Sequence, residues 1–279
     1  MDALQFGAVI VAALCTIYFT GKTGVVMRKF QELATGKAGC APVADVGFVT
    51  IHYFAGRGRA EAIRFLLEQA GVPYNQTDFT RETWPEAKRL GIERGLYTYG
   101  QVPAIVTSSG VSMVQQQAIL HYIGRSTGMD CDCDNLHYCT VLALGVEDAK
   151  SKLSKLIYDP AFSVEMRDTY LQETAPLWLG YFEKIAPSIT AQQNQFFVTD
   201  RLTWVDFLIF DLLDVNMEFG MLDVGRPPVV ILDQFPKLQS YYNHIRALPK
   251  ISAYMSSPGR APYKIPYMPT TVNGSSKQM

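Results

Sequence analysis

The sequence has almost no net charge, and this restricts the partners that we expect it to bind. Its 279 residues carry 25 Lys and Arg against 26 Asp and Glu, a formal net charge of −1 at pH 7. It contains no basic stripe, internal repeat or low-complexity tract. Nucleic-acid binding and a repeat architecture are therefore both disfavoured. Apolar residues make up 48% of the chain, which is sufficient for one large or two medium-sized domains.

Positive charge is also absent ahead of the first apolar run, residues 3–20. As a helix, this uncharged run would be about 27 Å long, close to the thickness of a bilayer core. A cleaved secretory signal normally begins with Lys or Arg, whereas here Lys22 and Arg28 follow the run. The positive-inside rule then favours a transmembrane anchor, with the bulk of the chain in the cytoplasm. Secretion after signal cleavage, a buried helix and a disordered leader are the alternatives.

The five cysteines lack the spacing of a zinc site. Cys131, Cys133 and Cys139 cluster with His137, but the C-x-C…C pattern has no second pair of ligands. The cysteines are also not arranged as a disulfide framework. We therefore predict free thiols in a linker and no metal site.

A β-α-β unit is predicted at the start of the compact region. Val46–Phe54 is rich in β-branched and aromatic residues, as strands are. Ala60–Ala70 has one apolar helical face, and Gly71 is a suitable residue to end that helix. A second extended run reaches Phe79, and the connection implies parallel strands with a right-handed crossover. The polar stretch Arg81–Tyr99 is predicted to be a loop.

A hairpin and a helix complete this first unit. Ala104–Thr107 and Val111–Val114 are joined by Ser109-Gly110, a turn sequence, and the helix Gln115–Thr127 follows. The order β-α-β then β-β-α fits a small mixed sheet with helices.

The remainder of the chain has helical periodicity. Long helices are predicted over Tyr138–Tyr158, Val164–Lys184 and Phe235–Ala247. Thr203-Trp204-Val205-Asp206 has the pattern of a capping box at the start of a very apolar helix. The predicted fold class is therefore α/β followed by all-α.

Three motifs, in this order, carry a resemblance to a known family: YFAGRGRAEAIRFLLEQAGVPY, GQVPAIV and QQAILHYIGRSTGM. They resemble the cytosolic-type glutathione S-transferases, most closely the pi, mu and sigma classes. The resemblance covers nearly all of residues 46–279. It implies a thioredoxin-like glutathione-binding domain over residues 46–129 and an all-helical domain with an electrophile pocket over residues 130–279. Residues 1–45, outside the resemblance, are then the hydrophobic anchor (3–20) and a tether.

The resemblance implies a detoxifying transferase that conjugates glutathione to hydrophobic electrophiles. Glutathione is its co-substrate, and no cofactor is implied. A free thiol has a pKa of about 8.5, so little of it is thiolate at neutral pH. A phenol that donates a hydrogen bond to the thiolate lowers that pKa and increases the amount of nucleophile. Tyr53 stands at the position of the family's catalytic tyrosine; without the resemblance, it would be an ordinary rim tyrosine.

Further site residues come from the same resemblance. Arg59 corresponds to a residue beside the γ-glutamyl end of glutathione, and Trp84 to one that contacts the glycyl carboxylate. Gln116 occupies a position where the family has Ser, and its bulk could crowd the γ-glutamyl carboxylate. The implied glutathione-binding residues, with Tyr53, are Arg59, Trp84, Lys88, Gln101, Val102, Pro103, Gln115, Gln116 and Asp148.

The resemblance also implies a homodimer. Asp148 corresponds to an acid that reaches the neighbouring subunit's ligand, and Tyr99 to an aromatic that inserts between helices of the partner. Tyr158 corresponds to a tyrosine of the electrophile pocket, but it fits equally an interior aromatic residue of its helix. Two other functions stay open: a non-catalytic ligand-binding or structural dimer, and a glutathione-dependent prostanoid isomerase or peroxidase.

Overall fold

The computed structural model describes residues 45–189, 195–263 and 265. Its first part is a mixed four-stranded sheet in the order β2-β1-β3-β4. The central strand β1 pairs with β2 in parallel and with β3 antiparallel, and β4 pairs antiparallel with β3. The strands are β1 (Val49–Phe54), β2 (Tyr74–Phe79), β3 (Ala104–Thr107) and β4 (Ser112–Val114).

Three helices accompany the sheet, and one of them contradicts the sequence prediction. The helices are α1 (Glu61–Ala70), α2 (Trp84–Glu93) and α3 (Gln116–Thr127). Gly71 and Gly128 end α1 and α3 in left-handed conformations, with φ of 72° and 78°. The loop prediction for Arg81–Tyr99 is wrong because α2 lies within it. Gly91 is the one buried residue of α2, and with the partly buried Trp84 and Ala87 it forms only a short apolar face among charged residues.

The second part of the described chain is helical. The predicted continuous helix over Val164–Lys184 is interrupted by a π-helical turn, Tyr170–Thr174. Pro176, next to this turn, has no N–H to donate to the carbonyl one turn earlier. The helices are α4 (Leu136–Ile157), α5 (Val164–Thr169), α6 (Ala175–Ile185), α7 (Trp204–Gly220), α8 (Pro236–Arg246) and α9 (Pro249–Met255).

Helix α7 forms the centre of the core, and most of its residues are buried. The predicted capping box at its start is confirmed: the Thr203 N–H donates to the Asp206 carboxylate at 2.9 Å. The hydroxyl of Tyr241 also donates to Asp206, at 2.8 Å. Helix α1 packs on α7 through Phe65 and Phe210, whose ring centroids lie 4.9 Å apart. The sheet unit and the helical unit therefore share one apolar core.

A buried charge network joins α1, α7 and the C-terminal segment. The fully buried Glu61 accepts hydrogen bonds from Arg64 and Arg260, both at 2.7 Å. Arg260 also bonds Asp214 of α7, at 2.5 Å. Arg57 donates to the Ala261 carbonyl at 2.7 Å. These bonds fix residues 260–263 against the body of the protein.

The cysteine cluster is not the set of free thiols that the sequence predicted. Cys131 and Cys139 form a disulfide with a Cα–Cα distance of 6.6 Å, and both residues are buried. Cys133 is disulfide-bonded as well. A short 3₁₀ turn, Cys133–Asn135, and the first turn of α4 bring Cys139 back towards Cys131, a proximity that linear spacing does not reveal.

The predicted anchor, residues 3–20, lies outside the described residues. Among the helices that are described, none combines the length and the apolar character needed to cross a bilayer.

Candidate active site

Tyr53 lies at the end of β1, beside the loop that leads into α1. Its hydroxyl oxygen accepts a hydrogen bond from the backbone N–H of Arg59 at 2.9 Å. Gly58 has a φ of 44°, and a Cβ at this position would stand 2.4 Å from the Tyr53 hydroxyl, so the loop can pass this close only with glycine. Burial raises the pKa of Tyr53, and the Arg59 N–H offsets part of that rise. The phenol is therefore protonated at neutral pH and can donate its O–H.

A cavity of about 460 Å³ lies next to this loop, and we call it the Trp84 cavity. Seven of the predicted glutathione-binding residues line it, although they come from separate parts of the chain. Its lining residues are Phe54, Arg59, Trp84, Gly100, Gln101, Val102, Pro103, Gln115, Gln116 and Glu147.

Two backbone features shape this cavity. The Val102–Pro103 peptide is cis. Gln115 is the one non-glycine residue with positive φ within the described ranges (φ 72°, ψ 111°), and it directly precedes α3. Such conformations are uncommon for non-glycine residues and cluster at ligand sites. The first turn of α3 leaves backbone N–H groups without helical partners, and these favour a negatively charged ligand group.

Gln116 begins α3 and is almost entirely buried, with 6% of its surface exposed. Its side-chain Nε2 is buried and has no hydrogen-bond partner among the described residues. The side chain therefore lies mostly within the protein, and little of its bulk is exposed to the cavity.

Arg59 is held by a residue that the sequence analysis did not select. Its two terminal nitrogens bond the two carboxylate oxygens of Glu147, at 2.5 and 2.6 Å. The Glu147 carboxylate raises the pKa of Arg59 further. Glu147 and Asp148 are neighbours on α4, so their side chains point about 100° apart. Glu147 lines the cavity, whereas the predicted Asp148 is exposed and lines neither cavity.

A second cavity, of about 450 Å³, adjoins the first, and we call it the Tyr158 cavity. Phe54, Arg59 and Val102 line both cavities. Tyr53 and Tyr158 both line the second one, as do Pro262 and Tyr263 of the C-terminal segment. Tyr158 is exposed, so it is not an interior aromatic residue of its helix.

Charged residues that the sequence analysis also missed lie in the Tyr158 cavity. Lys150 of α4 forms an ion pair with Asp211 of α7, and both line the cavity. Burial raises the pKa of the Asp211 carboxyl to about 6, although Lys150 acts in the opposite direction. No short motif marks this pair, because its members are 61 residues apart.

Two further predicted residues, Lys88 and Tyr99, line neither cavity. Lys88 is exposed on α2, and Tyr99 is 66% exposed. Tyr99 is one of several exposed large apolar side chains, some of which recur at helical spacing along α4 and α6. These are Tyr138, Val141 and Leu144 on α4, and Leu177, Tyr181 and Ile185 on α6.

Comparisons with known proteins match this geometry to one family. Residues 49–125 match "Glutathione S-transferase, N-terminal domain", and residues 147–258 match "Glutathione S-transferase, C-terminal domain". Glutathione S-transferase P of Homo sapiens is 30% identical over 234 residues, which cover 82% of this chain and 98% of that protein. Glutathione S-transferase Mu 1 of Macaca fascicularis is 29% identical over 219 residues, covering 75% and 91%.

A solved structure supports the fold. The pi-class glutathione S-transferase of Onchocerca volvulus superposes with a TM-score of 0.62 and 24% sequence identity. The match covers 74% of this chain and 91% of that protein. The predicted fold class, a thioredoxin-like unit followed by a helical unit, is thereby confirmed.

The predicted membrane-anchored localisation is wrong on these comparisons. The matched relatives are pi and mu glutathione S-transferases, of the cytosolic type that the motifs resemble. The prediction depended on the hydropathy of a single run, and an apolar run can serve other purposes than spanning a bilayer.

The agreement therefore extends from the short motifs to both halves of the fold. It covers the sheet unit that carries Tyr53 and the helical unit that carries Glu147 and Tyr158. With a relative at 30% identity matched over almost its whole length, the chain belongs to the glutathione S-transferase family.

Proposed function

We propose that this glutathione S-transferase binds glutathione in the Trp84 cavity and conjugates its thiolate to hydrophobic electrophiles bound in the Tyr158 cavity. One observation carries the proposal: a partly buried, protonated phenol, Tyr53, stands beside two adjoining cavities. One cavity is lined mainly by the residues expected to bind a charged tripeptide. The other offers apolar walls for an electrophile.

Tyr53 is the catalytic residue of this proposal. Its oxygen already accepts the Arg59 N–H, so its own O–H is the group that would donate to sulfur. A donor that binds the thiolate in preference to the thiol lowers the thiol pKa. The thiol proton leaves to solvent, and the sulfur attacks the electrophilic carbon. With an aryl chloride, a C–S bond forms, the C–Cl bond breaks and chloride departs.

The tripeptide would be held by its charged ends and its backbone. Arg59, fixed by Glu147, and the N-terminal turn of α3 would bind the γ-glutamyl carboxylate. Trp84 would donate its indole N–H to the glycyl carboxylate. The backbone at Val102, before the cis peptide, would pair with the cysteinyl amide as an added strand.

Each of the two units of the fold has its own role in this proposal. We assign glutathione binding to residues 46–129 and the electrophile pocket to residues 130–279, where Tyr158 would stabilise a developing oxyanion. We also propose a symmetric homodimer, supported by the exposure of Tyr99 and by the apolar residues exposed along α4 and α6. Asp148, exposed on α4, would then reach the partner's ligand.

Retention on immobilised glutathione, together with turnover of a chlorodinitrobenzene, tests the proposal on the full chain. We expect both, and we expect Trp84→Ala to weaken retention. Trp178→Ala is the matched control, because Trp178 lines neither cavity. A chain that is neither retained nor active would refute the proposed function.

One observation favours a non-catalytic ligand-binding dimer as the second candidate. Gln116 replaces the family's Ser, and its larger side chain lines the Trp84 cavity at the start of α3. If the Gln116 amide displaced the γ-glutamyl carboxylate, glutathione would not be retained, while apolar dyes would still bind in the Tyr158 cavity.

A further inference from the structure

The Tyr158 cavity contains an ion pair that the conjugation reaction does not use. We propose that Lys150 determines electrophile specificity by binding a carboxylate at the end of the electrophile remote from the reacting carbon. The preferred substrates are then apolar electrophiles that carry an anionic group. The inference depends on the proposed function, because it names the substrate class of the same cavity.

Lys150 has hydrogen-bonding capacity to spare. It projects from α4 towards Asp211 of α7, and the two side chains are 11% and 5% exposed. An ammonium has three N–H donors. In the described ranges, the Asp211 carboxylate is the one acceptor that Nζ reaches. Lys150 lines an open cavity. An acceptor on a bound ligand would therefore satisfy its remaining N–H donors.

The other charged groups in the lining are more fully paired. Asp214 accepts from Arg260 at 2.5 Å and from the Tyr242 hydroxyl at 2.9 Å. Arg57 donates to Glu218 at 2.8 Å and to the Ala261 carbonyl at 2.7 Å. Three cationic and two anionic side chains line the cavity. Arg57 and Arg59 are paired with Glu218 and Glu147, so the unused donors of Lys150 are the feature that favours an anion.

The apolar lining of the Tyr158 cavity indicates the chemistry of the rest of the ligand. Leu153 and Ile157 of α4, Val215 of α7 and Phe54 of β1 supply apolar surface. Tyr53 lines the same cavity, so a bound molecule can contact both Tyr53 and Lys150. An aromatic or alkyl body with the reactive carbon near Tyr53 and a carboxylate at Lys150 fits this distribution of chemistry.

The test compares an electrophile that carries a remote carboxylate with its uncharged methyl ester. One is a chloronitrobenzoate with chlorine ortho to the nitro group and para to the carboxylate, and the other is its methyl ester. In both reactions the C–S bond forms, the C–Cl bond breaks and chloride leaves. The measured quantity is the ratio of kcat/KM for the acid to kcat/KM for the ester. Intrinsic reactivity and the active fraction cancel when this ratio is compared between variants.

Two variants should change the acid-to-ester ratio in opposite directions, and a third serves as the control. Lys150→Met should lower the acid-to-ester ratio about tenfold or more, since a hydrogen bond to a charged group is lost. Asp211→Asn should raise the ratio, because it removes the carboxylate that competes for Lys150. Lys152→Met, an exposed lysine two residues along the same helix, should leave the ratio unchanged. A general loss of folding cannot change the acid-to-ester ratio in opposite directions in Lys150→Met and Asp211→Asn.

The outcomes separate this inference from the function on which it depends. Conjugation of the ester with a ratio that neither Lys150→Met nor Asp211→Asn changes would overturn the inference and leave the transferase function standing. Absence of turnover with both electrophiles would overturn both.

Discussion

Removal of the Tyr53 hydroxyl is the most direct perturbation of the proposed chemistry. Tyr53→Phe keeps the ring and removes one oxygen, which both accepts the Arg59 N–H at 2.9 Å and is proposed to donate to sulfur. Loss of the first bond costs about 1 kcal/mol of stability. Loss of the second affects the bound thiol directly.

The size of the catalytic effect follows from hydrogen-bond energetics. A hydrogen bond to a charged group contributes about 1.5–3 kcal/mol, and one pKa unit corresponds to about 1.4 kcal/mol. The pKa of the bound thiol should therefore rise by about 1–2 units in Tyr53→Phe. Burial raises the pKa of Tyr53 itself, so the wild-type donor keeps its proton throughout the range in which the thiol titrates.

The assay is a pH profile of kcat/KM for an aryl chloride, from about pH 5.5 to 9, on both proteins. At neutral pH the variant should be about 10–100-fold slower, and the difference should shrink as pH rises and the thiol ionises unaided. Tyr138→Phe, an exposed tyrosine on α4, is the matched control. The same apparent pKa in Tyr53→Phe and wild type would remove Tyr53 from thiol activation, whatever the absolute rate.

Three other predictions test neighbouring features. Glu147→Gln releases Arg59 from its bidentate partner, so the KM for glutathione should rise several-fold with kcat little changed, as steady-state kinetics would show; an unchanged KM would contradict a positioning role. Burial raises the pKa of Asp211 from 3.8 to about 6. The native state therefore binds more protons between these values, and the free energy of unfolding should fall as pH rises, by up to about 3 kcal/mol relative to Asp211→Asn. The free energy of unfolding would be measured by urea denaturation at several pH values, and the same pH dependence in both proteins would argue against this. Cys139→Ser opens the disulfide to Cys131, which closes a short loop, and should cost about 2.5 kcal/mol in denaturant unfolding; equal midpoints for the variant and the wild type would show that the disulfide adds nothing.

The sequence predicted the parts of the fold that depend on local chemistry. Gly71 ends α1 in a left-handed conformation, as its position indicated. The capping box from Thr203 to Asp206 is present with both of its hydrogen bonds. Helix α2 was missed because its apolar face is short, limited to Trp84, Ala87 and Gly91 among charged residues.

Site residues that lie in a sequence motif could be predicted. Site residues that are defined by contacts between distant parts of the chain could not. Arg59 and Val102 lie in motifs, and both line the Trp84 cavity. Glu147 could not be distinguished from Asp148, because only the rotation of α4 decides which of two adjacent acids faces Arg59. The pairing of Lys150 with Asp211 is long-range, so no spacing in the sequence indicates it.

The buried contacts of Arg260 have a consequence for how the C-terminal segment behaves. A chain shortened after Gly259 would lose the cation that neutralises Glu61 and Asp214. Two carboxylates would then be left in the protein interior with less compensation, and removing one partner of a buried pair typically costs about 3–5 kcal/mol. The same cut would take away Pro262 and Tyr263, which line the Tyr158 cavity. Trimming the end of this chain would thus lower its melting temperature and open its electrophile pocket together, so residues 260–263 belong to the folding unit as much as to the active site.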